Sequence, residues 1–326
     1  MEKKNLLEIK DLVVQYRVDE SIVEAVNGIN LEIGYGETLG LVGETGAGKT
    51  TTALGVMGLI PDPPGKIISG EIVYEGRTIS GLPEKEYRKI RGGDITMIFQ
   101  DPMTSLNPVL TVGEQISEVI RLHKKCSRLE ATERAVKMLE LVGITSERFH
   151  QYPHEFSGGM KQRVMIAIAL ACTPKLLIAD EPTTALDVTI QAQVLELMGR
   201  LKQEFGTAML LITHDLGVVA EVCDSVAIIY AGEIVECGTL EQVYGRVCHP
   251  YTQGLFDSLP DLDEESDRLK TIQGMMPDPS NLPEGCKFHP RCPHCMERCK
   301  TECPPVTEVE PGHKVKCWLM QEGGAT

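Results

Sequence analysis

Gly43-Glu44-Thr45-Gly46-Ala47-Gly48-Lys49-Thr50 is the stretch that decides the fold. It matches the pattern G-x-x-x-x-G-K-[ST]. The apolar run Thr38-Leu39-Gly40-Leu41-Val42 precedes it, and a helix-compatible segment, residues 49–57, follows. Glycines let successive backbone N–H groups turn inward around anionic oxygens. The positive end of the following helix faces the same point. Lys49 is then placed to reach the outer phosphates of a nucleotide, and the Thr50 hydroxyl to ligate Mg2+. Strand, phosphate loop and helix in that order predict an α/β fold on a parallel sheet.

On either side of this loop the periodicity predicts strands at 7–16, 23–33, 71–74, 95–99, 176–179, 208–213 and 225–230. Between about 112 and 171 it turns helical, with Leu129, Val136, Leu139 and Val142 placed on one face. A later helix carries Ile190, Val194, Leu197, Met198 and Leu201 on one face. The Pro-rich, acidic region 260–283 reads as a linker into a cysteine-rich tail.

The chain of 326 residues suits one core domain with an appendage, and 42% hydrophobic with 24% charged residues excludes bulk disorder. A net charge of -15 repels phosphate backbones, so no nucleic-acid partner is expected. The longest apolar run, residues 164–172, is far shorter than the about 20 residues of a membrane-spanning helix. Residues 1–5 lead into a mixed segment rather than an apolar signal core, which points to the cytosol.

Three further stretches carry chemistry. Leu176-Leu177-Ile178-Ala179-Asp180-Glu181 is an apolar strand ending in two carboxylates. Asp180 can hold Mg2+, and Glu181, one residue on, can face an attacking water as general base. In Phe156-Ser157-Gly158-Gly159-Met160-Lys161-Gln162-Arg163, Ser157 is an N-cap and the glycines offer N–H groups to an anion. Gln100 ends a strand before the helical region, Thr184-Ala185-Leu186-Asp187 follows the carboxylates, and His214 follows the strand at 208–213.

From residue 1 to about 258 this order of motifs resembles the ATP-binding-cassette ATPase family. The resemblance implies an α/β P-loop NTPase cassette with a mixed parallel sheet core, an antiparallel β subdomain and a helical subdomain at about 101–172. It implies ATP bound by Gly43, Glu44, Thr45, Gly46, Ala47, Gly48, Lys49, Thr50 and Thr51, with Tyr16 stacked on adenine and Gln100 at the phosphates. Mg2+ would sit on Thr50, Gln100 and Asp180. Glu181, His214 and Lys49 are the implied catalytic residues. Ser157, Gly158 and Gly159 would close over the ATP of a facing cassette. The signature departs from Leu-Ser-Gly-Gly-Gln at Phe156 and Met160.

Residues 100–108 and His249-Pro250-Tyr251-Thr252-Gln253-Gly254-Leu255 resemble the dipeptide/oligopeptide importer ATPases, to which the nickel importers are close relatives. The implied partners are two membrane permease subunits, a second and non-identical cassette and, indirectly, an extracytoplasmic solute-binding protein. The implied location is the cytoplasmic face of the membrane. The same engine on nickel or another small solute, and a soluble non-transport ATPase of this family, are the competing readings.

Six of the eleven cysteines, 286, 292, 295, 299, 303 and 317, lie in the tail, residues 259–326. In a reducing compartment such density points to metal before disulfides. Four thiolates suit tetrahedral Zn2+ or a [4Fe–4S] cluster, and Cys292-x-x-Cys295 by spacing favours a zinc ribbon. Cys286, Cys292, Cys299 and Cys317 resemble the four cysteines of the importer subfamily's tail, which implies a [4Fe–4S] cluster on that set. With few apolar residues (Phe288, Val306, Val309, Trp318, Leu319), the tail needs such a staple to fold. The linker is expected to keep it apart from the ATP site.

Overall fold

A computed structural model describes residues 4–100, 105–184, 186–258 and 271–321. In chain order the strands and helices are β1 (Asn5–Val18), β2 (Ser21–Gly34), β3 (Thr38–Val42), α1 (Lys49–Met57), β4 (Gly65–Tyr74), β5 (Arg77–Thr78), α2 (Glu84–Ile90), β6 (Ile95–Ile98), α3 (Val112–His123), α4 (Arg128–Leu141), α5 (Gly158–Leu170), β7 (Leu176–Asp180), α6 (Val188–Phe205), β8 (Ala208–Thr213), α7 (Leu216–Val222), β9 (Ser225–Tyr230), β10 (Glu233–Thr239), α8 (Leu240–Gly245), α9 (Pro250–Asp257), α10 (Glu297–Thr301), β11 (Thr307–Glu310) and β12 (His313–Val315). The chain divides into two compact units. One gathers Met1–Leu7, Ile33–Thr38 and Tyr74–Thr213; the other gathers Glu8–Glu32, Leu39–Val73 and His214–Thr326.

In the first unit β6, β7 and β8 run parallel, with Ile95 opposite Leu176 and Leu176 opposite Ala208. Every residue of β7 and β8 is buried. That is why both read as unbroken apolar runs: a parallel strand is covered on both faces and has no solvent side to alternate with. Helices α3 and α4 start with capping boxes, Thr111 with Glu114 and Ser127 with Glu130. Each box satisfies orphan N–H donors at the helix start. The buried face of α4 is Ala131, Ala135, Met138 and Leu139. Of the expected face Leu139 and Val142 are buried and Val136 is half-buried, but Leu129, one residue past the helix start, is 69% exposed. Helix α6 buries Val194, Leu197, Met198 and Leu201 of its expected face and adds Leu195, while Ile190 is half-buried.

In the second unit β2, β1 and β4 are neighbours in one sheet. In another, β3 pairs parallel with β9, and β9 pairs antiparallel with β10. The cysteine-rich tail does not stand apart from this sheet. Its β12 pairs antiparallel with β10, placing Val315 opposite Glu236, and β11 pairs with β12. The Lys316 ammonium also meets the Glu233 carboxylate at 2.8 Å. Further back, the Glu24 N–H donates to the Pro279 carbonyl at 2.8 Å, so the expected linker docks on β2. The remainder of that segment, 259–270, lies outside the described residues. Phe288 is 2% exposed and inserts among Tyr230, Tyr251 and His249, at centroid distances of 5.2, 5.4 and 5.7 Å. The separation expected of residues 260–283 is therefore not found. An edge strand with open N–H and C=O groups invites pairing, and the tail provides the pairing strand.

Candidate functional site

The phosphate loop lies in the second unit. Gly43 is buried, and a Cβ there would strike the Ile229 carbonyl oxygen; one at Gly48 would strike that of Ala25. Gly48 also has φ 102°, outside the range of ordinary side-chain-bearing residues, so the pattern's glycines are required by space and by backbone angle. Lys49 opens α1, is 5% exposed and folds over the loop, where its Nζ donates to the Gly43 and Glu44 carbonyls at 2.6 and 3.0 Å. Thr45, Gly46 and Thr50 are exposed along the loop, Thr51 is half-buried and Ala47 is buried. Tyr16 is half-buried, its ring lying where a side chain on Gly65 would collide with it. His214, exposed, belongs to this unit as well.

The carboxylate end lies in the first unit. Asp180 ends β7 at 2% exposure. Glu181 follows with φ 46°, a left-handed conformation that a glutamate adopts at a cost of order 1–3 kcal/mol. Its N–H donates to the Ile212 carbonyl at 2.9 Å. Its Oε2 accepts from Gln100 Nε2 at 2.8 Å and from Thr184 Oγ1 at 3.0 Å. Two sequence-predicted residues 81 positions apart are thus joined by one hydrogen bond. Ser157 caps α5, its Oγ accepting from the Met160 N–H at 3.4 Å. Ser157 and Gly158 are exposed, whereas a Cβ on Gly159 would meet Ile190 Cγ2 at 2.6 Å. Gly159 is required for α5 to approach α6. Phe156 is 5% exposed and carries the Arg148 guanidinium 5.7 Å from its ring centre. Asp187 is the N-cap of α6, accepting from the Ile190 N–H at 3.0 Å. Ala185 lies outside the described residues.

All eleven cysteines are free thiols. Burial pushes the Cys286 thiol up to about 12 and that of Cys292 up to about 11, and it raises Cys317 as well. Cys286 also feels Cys317, Cys299 and Cys292, and Cys292 feels Cys317, Cys295 and Cys299, so these five thiols lie near one another. The fold supports this: the Cys286 N–H donates to the Cys299 carbonyl at 2.9 Å, and Gly285 has no room for a Cβ against that carbonyl. Cys303 is exposed, with its sulfur on the Gly285 carbonyl, and Cys295 contacts the Met296 carbonyl.

Three groups escaped the motif reading. Tyr251 accepts the Glu44 N–H at 3.0 Å, and Arg291 forms a two-pronged ion pair with the Glu44 carboxylate, Nη1 to Oε2 at 2.7 Å and Nη2 to Oε1 at 3.0 Å. Tyr251 stood in a quoted stretch of sequence and Arg291 in the cysteine-rich tail, but nothing in the sequence indicated that they meet the phosphate loop. The third is Glu236, fully buried, with Oε1 accepting from Cys248 N–H and His313 Nε2 and Oε2 from His249 N–H, each at 2.9 Å. Glu236, Cys248 and His313 converge within 4.8 Å. Through these N–H donors the carboxylate latches β10 to β12.

Residues 26–184 match the family described as ABC transporter, and residues 235–299 match the oligopeptide/dipeptide transporter C-terminal region. The chain is 52% identical to the oligopeptide transport ATP-binding protein AppD of Bacillus subtilis, over 98% of both chains. It is 52% identical to OppD of Escherichia coli, over 97% of this chain and 94% of that one. Identity to the dipeptide transport ATP-binding protein DppD of Bacillus subtilis is 48%, over 99% and 96%. Among solved structures, the ATP-binding cassette MJ0796 bound to ADP and Pi superposes with a TM-score of 0.65 at 29% identity, covering 72% of this chain and 98% of that one. With a phosphate loop, a carboxylate-ended strand and this extent of likeness, the chain belongs to the ABC transporter ATP-binding proteins, in their oligopeptide/dipeptide branch.

Proposed function

We propose that this chain is the ATP-hydrolysing subunit of an importer of dipeptides or oligopeptides, acting at the cytoplasmic face of the membrane. The observation that carries this reading is Glu181: a carboxylate just past a buried strand, gripped by Gln100 and Thr184, in a chain whose loop is shaped for phosphate. A carboxylate held in this way takes the proton of the attacking water. Lys49 and the loop N–H groups bind the phosphates, and His214 orients the γ-phosphate. Thr50, Gln100 and Asp180 offer the hard oxygen donors that Mg2+ takes, and a 2%-exposed Asp180 fits a site that brings a cation to it. Mg2+ supplies charge neutralisation at the phosphate oxygens. Tyr16 stacks on adenine.

Exposed Ser157 and Gly158, at the positive end of α5, suit the phosphates of ATP held by a second, non-identical cassette. Residues 1–258 form the nucleotide-binding domain with a helical subdomain at about 101–172. In that subdomain, Val109 is 75% exposed next to Leu110, which with Glu114, Arg121 and Phe149 lines a cavity of about 400 Å3. Such a surface suits docking of one of the two proposed permease subunits, which a solute-binding protein serves from outside. Residues 101–104, part of the loop expected at this interface, lie outside the described residues.

In the tail, residues 259–326, Cys286, Cys292, Cys299 and Cys317 are proposed to hold a [4Fe–4S] cluster. Among the described residues no three of these sulfurs converge within 4.8 Å. Four thiolates suit such a cluster, whose iron would supply the cations that partly desolvated thiolates need.

The deciding experiment is Glu181→Gln. ATP affinity should stay at the wild-type level, turnover should fall by about 100-fold or more, and ATP-bound cassette dimers should accumulate. Lys49→Ala should weaken nucleotide binding instead. Near wild-type turnover in Glu181→Gln would remove Glu181 from catalysis.

A further inference from the structure

The Arg291 guanidinium is 6% exposed, and every face of it is engaged. Nη1 and Nη2 grip the Glu44 carboxylate at 2.7 and 3.0 Å. Nε donates to the Gln273 carbonyl at 3.0 Å, and the group lies 5.8 Å from the centre of the Tyr230 ring. A half-buried, bidentate pair of this kind is among the strong charge-assisted contacts, unlike an ion pair waving in solvent. The hydrogen bond to Glu44 is also the main cause holding the Arg291 pKa above its ordinary value.

Glu44 is held from every side. Its N–H is fixed by the Tyr251 hydroxyl at 3.0 Å, and its carbonyl accepts Lys49 Nζ at 3.0 Å and the Ala47 N–H at 3.2 Å. One residue thus connects the tail to the lysine that faces phosphate. A carboxylate in a loop that must receive a polyanion is also an electrostatic burden unless a cation offsets it.

We propose that Arg291 is a positioning residue for nucleotide binding: the C-terminal tail holds the phosphate loop in its binding conformation, and offsets its one acidic side chain, through Glu44. The proposal rests on the reading that residues 43–51 bind ATP. Loss of Arg291 lets the Glu44 backbone shift, moves the carbonyl that aims Lys49, and leaves a free negative charge beside the phosphates.

The test titrates the full chain with a fluorescent ATP analogue and counts its bound iron. Arg291→Gln should raise the dissociation constant by about tenfold, with the number of sites per chain unchanged. Arg291→Lys, which keeps the charge but not the fork, should fall between it and wild type. A merely structural role would instead lower the number of sites and leave the affinity of the folded fraction alone. If Arg291→Gln also loses iron, Arg291→Lys with wild-type iron decides, and it should still bind more weakly than wild type. Wild-type affinity in both variants, beside weak binding by Lys49→Ala, would overturn the role of Arg291. Wild-type affinity in Lys49→Ala as well would instead sink the phosphate-loop reading on which the proposal stands.

Discussion

His249 is 1% exposed, and its Nδ1 accepts the Tyr251 N–H at 3.0 Å, so the ring is held neutral with its proton on Nε2. Burial lowers its pKa from 6.5 to about 4, against the opposing pull of Glu236. Between those values the unfolded chain binds more protons than the folded one. This contribution to stability is therefore complete above pH 6.5 and is lost as pH falls toward 4. Between pH 7.5 and pH 5 the loss should be about 2 kcal/mol. Urea unfolding of the wild type and of His249→Gln at both pH values checks this, and the pH difference should shrink in the variant by that amount. An equal difference in both would show that His249 does not titrate in folding. Tyr251, two residues on, gives the same short segment its second task at the phosphate loop.

The β10–β12 pairing rests on few backbone contacts, since β12 spans His313–Val315. Glu236 supplies what so short a strand lacks. One buried carboxylate collects His313 from β12 and the two N–H groups that lead into α9. Glu236→Ala leaves two buried donors and one half-buried donor without an acceptor, and should destabilise the chain by about 3–5 kcal/mol. Glu236→Gln, which keeps one acceptor oxygen, should cost less. Denaturant midpoints with tryptophan fluorescence would read this directly, because Trp318 is 8% exposed in the tail, under the Arg298 guanidinium. If Glu236→Ala unfolds like the wild type, the latch is not what holds β12.

At the scale of the whole molecule, six of eleven cysteines crowd a tail whose apolar residues are few. A segment of that size cannot bury enough surface to fold without a staple or a host. This chain provides a host in β10 and the Tyr230–Tyr251 nest, and the four-thiol set is proposed to provide the staple. Anaerobically purified protein should be brown, with roughly four irons and four sulfides per chain. Serine at Cys286, Cys292, Cys299 or Cys317 should lose the colour, and serine at Cys295 or Cys303 should keep it. Colourless protein with one zinc would overturn the cluster and leave the cassette reading intact. Because Arg291 precedes Cys292, loss of the staple should also loosen nucleotide binding, so the tail and the ATP site are not independent.

The sequence by itself determined the cassette. Each of its motifs is local: the phosphate loop needs glycines at fixed spacing, and a parallel strand buried on both faces needs an apolar run such as 176–179. Ser157 marks a helix start by chemistry that acts within three residues. Only the tertiary structure decided what depends on distant pairs. Leu129 looked like core by spacing but lies exposed at the start of α4. The linker looked like a spacer by composition, yet Pro279 bonds β2 and β12 joins β10. Arg291 and Glu44 lie 247 residues apart. No periodicity or motif window spans such a distance, because that contact exists only once the sheet, the aromatic nest and the tail have packed.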